Sequence, residues 1–403
     1  MSEPTSAGNR PVDVHFEPFN PEQVDRYPEQ IKEIRERCPV AWSDGHWSEN
    51  DTGFWLLTRN KDVRTAGLDW KLFSNAKGGG PVQWDLNLFQ LLPLDCDPPL
   101  HTNIRGALSS FFSNKALMQH EDKIRGIIRE LLDECIANSP VDFARRYSIQ
   151  VPSRVLFEIM FGEDPKDMGW IYDTVEKMFL DISTAAEHFP KLIGWCMTVL
   201  EGRRKSGRKD DLLGVIAHAG NEPDFQLTEQ QRTYMLMMLV LAGMDTTAGG
   251  ISAILLTMAT EPDIRKRMAS ADASTINKAV EEFLRHSSPV PAAGRTLAAD
   301  TEINGCPMKK GERVTLSWTG ANHDPEAYPN PEVLDLERNA SQHVAFGVGH
   351  HKCMGMHLAK MELRLTIEEL SKLGTFELVA GTEIHYAVGP ARGVLSLPIN
   401  CAR

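Results

Sequence analysis

The sequence has no CxxC pair: its seven cysteines, Cys38, Cys96, Cys135, Cys196, Cys306, Cys353 and Cys401, are scattered and odd in number. This argues against a disulfide framework and against a zinc or iron–sulfur centre, so at most one or two of these thiols carry chemistry. Positive charge is in deficit. Lys and Arg number 43 against 55 Asp and Glu, a formal net charge of −12, which argues against nucleic acid as a partner. Long hydrophobic runs are missing. The longest apolar stretch, Tyr234 to Ala242, falls far short of the roughly 20 residues that a membrane span needs. The opening residues MSEPTSAGNRPVDVHFEPFN hold no apolar core of a signal peptide or anchor. The expectation is a cytoplasmic protein without membrane attachment. There is also no internal repeat and no Pro/Ser-rich linker, so residues 1–403 are read as one domain, with 1–20 as a loose, proline-containing lead-in.

What is present is helical periodicity. Segments 116–136, 147–161, 168–183, 228–259, 274–286 and 354–372 carry apolar residues at three- and four-residue spacing with polar residues between them. Strand signals are few. They fall in 51–60, at Val141 to Phe143, in 301–318 with Gly305 and Gly311 as turn points, and within 376–399. The predicted class is mainly α with small β-sheets near both ends.

The segment Phe346 to Gly355, FGVGHHKCMG, stands directly before the helical run MHLAKMELRLTIEEL. A sulfur ligand to haem iron needs a thiolate near a helix start, where the dipole favours the anion. It needs glycines where the backbone approaches the porphyrin, and donors that tune the sulfur. Taken alone, Cys353 reads as a buried thiol before a helix. The full pattern Phe-Gly-x-Gly-x-His-x-Cys-x-Gly resembles the cytochrome P450 family, with a complete match at Phe346, Gly347, Gly349, His351, Cys353 and Gly355. The resemblance implies haem b (iron protoporphyrin IX), a triangular prism of helices around it, and Cys353 as the axial ligand. It also implies that His351 faces a haem propionate and that Phe346 packs beside the sulfur.

Three further motifs follow the family's order. Glu282 and Arg285 lie three apart on one helix face and can pair, although Glu281 offers a competing register. The resemblance selects Glu282 and Arg285 as a folding and haem-retention pair, with Arg338 as the expected partner. The run Ala242-Gly243-Met244-Asp245-Thr246-Thr247 interrupts a hydrophobic helix. On the residues alone, Asp245 and Thr246 could simply bond back to the backbone at a kink. The resemblance implies instead that Ala242 and Gly243 leave room for dioxygen, that Thr246 hydrogen-bonds it, and that Asp245 supplies protons. His101 and Arg105, four apart at a helix start, together with Arg295 and His351, match positions that hold the propionates in the family; Arg and His suit that task as charge-assisted donors. His350 has no assigned role.

For the substrate, the resemblance implies walls from the loop before His101, the helix near 168–183, the long helix and the segment after Arg285. Candidates are Trp84, Leu88, Phe89, Phe179, Leu239, Val290 and Ala293, with Gly78 to Gly80 as a flexible hinge and Arg392 as a cation near a C-terminal turn. Apolar walls suit a small-to-medium hydrophobic substrate. The expected reaction is hydroxylation or O-dealkylation with O2 by a monomer, fed with electrons from NAD(P)H through a separate reductase and ferredoxin. Lys352, Arg125, Lys360 and Arg364 are the candidate ferredoxin-docking cations. A peroxygenase, an oxidative coupling enzyme or a non-catalytic haem protein are the alternatives. The Asp245–Thr246 pair argues against each of them.

Overall fold

The computed structural model describes residues 13–403 apart from 18–19, 21–22, 46–51, 81–85, 87–88, 181–184 and 388, and describes 178–180 and 185–186 through their backbone alone. Helices make up most of it, with a five-stranded sheet at one side. That sheet runs Val40–Ser43, Phe54–Leu57, Arg313–Ser317, Ala292–Leu297, Phe73–Ser74. The pairing of Arg313–Ser317 with Phe54–Leu57 is parallel and the others are antiparallel. A second sheet joins Thr375–Leu378, Pro398–Ala402 and Val141–Asp142. The largest apolar core lies among the helices, and a separate cluster of Val40, Trp42, Trp55, Val314, Leu316 and their neighbours fills the sheet side.

The central element is the helix Glu229–Thr260. Its start is fixed by a capping box: the Thr228 hydroxyl accepts the Gln231 N–H at 3.2 Å and the Gln231 side chain accepts the Thr228 N–H at 2.9 Å. Such a cap contributes about 1 kcal/mol. Apolar residues occupy all sides of this helix, as befits one surrounded by protein. It is the one helix among the described residues long and apolar enough to cross a membrane, and most of its apolar window is buried inside the protein.

Two departures from the sequence expectation have local causes. The single helix expected over 116–136 is two, Asn114–Met118 and Glu121–Ala137. The Ser113 side chain caps the first, and Glu121 and Asp122 favour a fresh N-terminus against the helix dipole. The expected helix over 147–161 runs from Ala144 to Phe161 and contains wide turns at Ala144–Ser148 and Val155–Phe161. These i→i+5 turns widen the helix and change where its side chains point. Gly162, at φ 63°, ends it. Among the described residues, Thr375–Leu378 and Pro398–Ala402 are the strands in the C-terminal stretch read as strand-like.

Candidate active site

The Cys353 loop is held by its backbone. The Cys353 N–H donates to the Phe346 carbonyl at 2.8 Å, and the Gly347 N–H to the Val344 carbonyl at 2.8 Å. Gly347 and Gly349 sit at φ 67° and 70°, a region that costs other residues roughly 1–2 kcal/mol. Gly349 also touches the helix Asn60–Leu68. A Cβ on it would lie 2.6 Å from the Gly67 carbonyl oxygen, and a Cβ on Gly67 would lie 2.5 Å from Val348. Gly355 differs: its φ is −80°, and its Cβ would meet only the Cys353 sulfur, at 3.9 Å. Smallness beside the sulfur is its property, not backbone freedom. The Cys353 side chain keeps accessible surface while protein surrounds it deeply, so it faces an internal space. Burial pushes its thiol up, whereas the Gly355 backbone hydrogen bond and the Arg105 and Lys352 charges favour the thiolate. The helix Met356–Leu370 begins directly after this loop.

Around the cysteine stands a group of buried nitrogen donors, several of them without acceptors. The His101 and His351 rings lie 4.2 Å apart. Neither ring nitrogen of His101, nor Nε2 of His351, has a hydrogen-bond partner. Burial, then Arg105 and His350, push His101 down to about 4. Arg295 is 3% exposed, donates to the carbonyl of its own neighbour Gly294 at 2.6 Å, and is held down to about 10 by burial. Buried donors of this kind are costly unless paired. His101, Arg105, Arg295 and His351 together suit the carboxylates of a bound group.

In the long helix the Thr246 hydroxyl donates to the Ala242 carbonyl at 2.7 Å. A Cβ on Gly243 would meet Leu156 at 3.1 Å, so the missing side chain there admits Leu156. Asp245 looks into a narrow cavity shared with Ser148, Tyr172 and Glu176. Burial, then the Glu176 carboxylate, raise Asp245 to about 7.

Glu282 and Arg285 are both 0% exposed and form a two-pronged pair at 2.7 and 2.8 Å. Arg285 also donates to the Asn322 and Pro331 carbonyls, and Glu282 accepts from Arg338 at 3.1 Å and from the Asp335 N–H at 3.0 Å. Glu281 is engaged elsewhere, with His343 at 3.0 Å and Lys360 at 2.6 Å.

Other expected residues are placed differently. Gly78 to Gly80 are not a hinge. The buried Arg313 guanidinium donates to the Gly78 and Gly80 carbonyls, Gly79 donates to Asp95 at 2.8 Å, and Gly294 donates to the Gly79 carbonyl at 3.1 Å. A charged residue within the apolar run RVTLS is the sequence signal that could have found this anchor. Three of the four docking cations are neutralised. Arg125 pairs with Glu121, Glu368 and Glu369, Arg364 with Glu121 and Glu368, and Lys360 with Glu281. Arg392 stacks on the Tyr386 ring at 3.4 Å. The Phe346 ring lies 5.8 Å from the His343 ring and 5.5 Å from the Lys360 ammonium. Phe89 packs on Phe189 with ring centroids 4.0 Å apart. Leu239, Val290 and Ala293 are partly buried against the cores. Trp84, Leu88 and the Phe179 side chain lie outside the described residues. His350 stacks edge-on to Trp70, 5.6 Å between centroids.

A loop-held cysteine beside the buried Arg295 and two histidines with unpartnered ring nitrogens defines a haem-thiolate type of centre, and comparison with known proteins agrees. Residues 197–385 match the family model described as Cytochrome P450. The chain is 35% identical over 327 residues to a Vitamin D(3) 25-hydroxylase of Pseudonocardia autotrophica, covering 79% of this chain and 80% of that protein. It is 27% identical over 366 residues to a Steroid C26-monooxygenase of Mycolicibacterium smegmatis, covering 86% and 84%. Among solved structures, a cytochrome P450 of Mycobacterium marinum in complex with pseudoionone superposes with a TM-score of 0.89 at 26% identity, covering 98% of this chain and 100% of that one. The chain belongs to the cytochrome P450 family. It is an oxygen-dependent haem-thiolate monooxygenase with the P450 fold. The orphaned nitrogens of His101 and His351 and the buried Arg295 fit the carboxylates of the haem that this family binds, and the Cys353 loop fits its iron.

Proposed function

We propose that the protein is a single-domain, monomeric, cytoplasmic monooxygenase that hydroxylates or O-dealkylates a neutral hydrophobic molecule of isoprenoid type. Its electrons would come from NAD(P)H by way of a separate reductase and ferredoxin. The observation that carries this reading is Cys353 held by left-handed glycines next to the unpartnered His101 and His351 rings and the buried Arg295. When bound, the haem supplies the oxygen-activating redox chemistry, with Cys353 as its ligand. His101, Arg105, Arg295 and His351 orient it through its carboxylates. Thr246 holds a hydroxyl proton at a defined point of the long helix. Asp245, the adjacent residue, holds a proton at near-neutral pH, where an acid is most useful.

The substrate class rests on relatives named for vitamin D3 and steroids and on a structural neighbour in complex with pseudoionone. Titrating the ferric holoenzyme with vitamin D3, a cholestane-type sterol and pseudoionone, beside sugars and amino acids, tests it. At least one isoprenoid is expected to shift the iron spin state at micromolar concentration. A shift with polar compounds alone would overturn the class.

The ferredoxin would dock at a patch of exposed His350, Lys352 and Leu68, the last 56% exposed. Lys352→Glu is expected to slow ferredoxin-driven reduction several-fold at low salt. The difference should shrink as the screening length falls from roughly 10 Å to 3 Å. Wild-type rates at low salt would put the docking site elsewhere.

A further inference from the structure

Asp245 shares its helix face with Ala248, Gly249 and Ser252, and this stripe lines a cavity of about 50 Å³. That is room for a few waters and too little for a steroid. Thr246 is turned about 100° from this stripe. Facing Asp245 across the cavity are groups from two other elements. The wide turn Ala144–Ser148 contributes Arg145 and Ser148, and the helix Met168–Leu180 contributes Tyr172 and Glu176. The C-terminal turn that completes the wall adds no titratable group. Ser148 is 2% exposed and its hydroxyl has no hydrogen-bond partner, so the cavity is polar at its inner end.

The outer end is an ion pair. Arg145 grips Glu176 with two nitrogens, at 2.9 and 3.1 Å, and the Tyr172 hydroxyl donates to the same carboxylate at 3.4 Å. Arg145 is about half exposed and Glu176 less than a quarter. Arg145 thus covers Glu176 on the solvent side, and Glu176 and Asp245 line the same cavity. A like charge stabilises the protonated form of an acid, and a cation on that like charge weakens the effect.

We propose that Glu176 and Arg145 are positioning residues for Asp245, which set how tightly it holds its proton: Glu176 strengthens the hold and Arg145 limits it. The inference rests on the proposed proton role of Asp245 and deepens it. It distinguishes this pair from a merely structural salt bridge, because removing its two halves must act in opposite directions.

The test uses the holoenzyme and the infrared band of the protonated Asp245 carboxyl, identified as the band lost in Asp245→Asn. Its midpoint is followed against pH in wild type, Glu176→Gln, Arg145→Gln and the double variant. Glu176→Gln is expected to lower the midpoint by about one pH unit, a tenfold loss of proton affinity. Arg145→Gln is expected to raise it, and the double variant to follow Glu176→Gln, since Arg145 acts through Glu176. Midpoints that stay put, or that move in the same direction in both single variants, would overturn the proposal. The underlying reading is checked separately by the fraction of reducing equivalents lost to peroxide. If Asp245→Asn leaves that fraction unchanged, the proton role of Asp245 falls. If Asp245→Asn raises it while the pair variants leave the midpoint fixed, only the role of the pair falls.

Discussion

Replacing Cys353 by serine is expected to leave a folded protein that has lost the red-shifted absorbance of a reduced, carbon monoxide-bound thiolate haem and all monooxygenase activity above background. The fold should survive because the loop depends on main-chain bonds, from Cys353 to Phe346 and from Gly347 to Val344, and on positive φ at Gly347 and Gly349, none of which involves the sulfur. A conservative change of this kind should cost no more than about 1 kcal/mol of stability. The chemistry has no such reserve. The electron-donating character of the site depends on sulfur. A thiolate-type spectrum persisting in Cys353→Ser would overturn the ligand assignment.

The second large effect is on stability. Glu282→Gln is expected to destabilise the holoenzyme by about 3–5 kcal/mol, measured by urea unfolding, a large share of the roughly 5–15 kcal/mol that keeps a protein folded. The carboxylate is fully buried and answers two guanidinium groups, Arg285 and Arg338, as well as the Asp335 N–H. Neutralising it leaves two cations facing each other with no counter-charge. Glu281→Gln is the matched control. Its partners are the buried His343 and the partly exposed Lys360, and Glu281 itself keeps about a quarter of its side chain in solvent, so its loss is expected to cost less, about 1 kcal/mol. Equal losses in the two variants would mean that the buried register carries no special weight.

That contrast shows what the chain discloses unaided. Glu281 and Glu282 are both spaced to meet a cation on the same helix, and helical periodicity does not choose between them. The choice is made by Arg338, more than fifty residues away, and by the carbonyls of Asn322 and Pro331 that fix Arg285. The long helix was legible because one apolar segment and one cap define it locally. The cysteine loop was legible because its glycines answer local backbone demands. The Arg313 anchor was not, since a glycine run reads as freedom until the residue that grips its carbonyls is known. Nor was the Arg145–Glu176 pair, whose members meet Asp245 only after a wide helical turn and a distant helix have packed. The acidic partners of Arg125, Lys360 and Arg364 were likewise invisible to a count of cations.

The contact between Gly67 and Gly349 has a consequence for how the site can be divided. Each glycine leaves the space that the other's chain occupies, so the cysteine loop takes its shape against a helix laid down nearly three hundred residues earlier. His101 and Arg105 come from that same early part of the chain. A fragment starting near residue 197 would keep the cysteine loop, the ion pair and the acid–alcohol step. It would still lack the surface against which the loop is moulded and half of the donors that face its cofactor. In this molecule the recognisable signature and the cofactor-holding unit are different lengths of polypeptide, and the second is close to the whole of it.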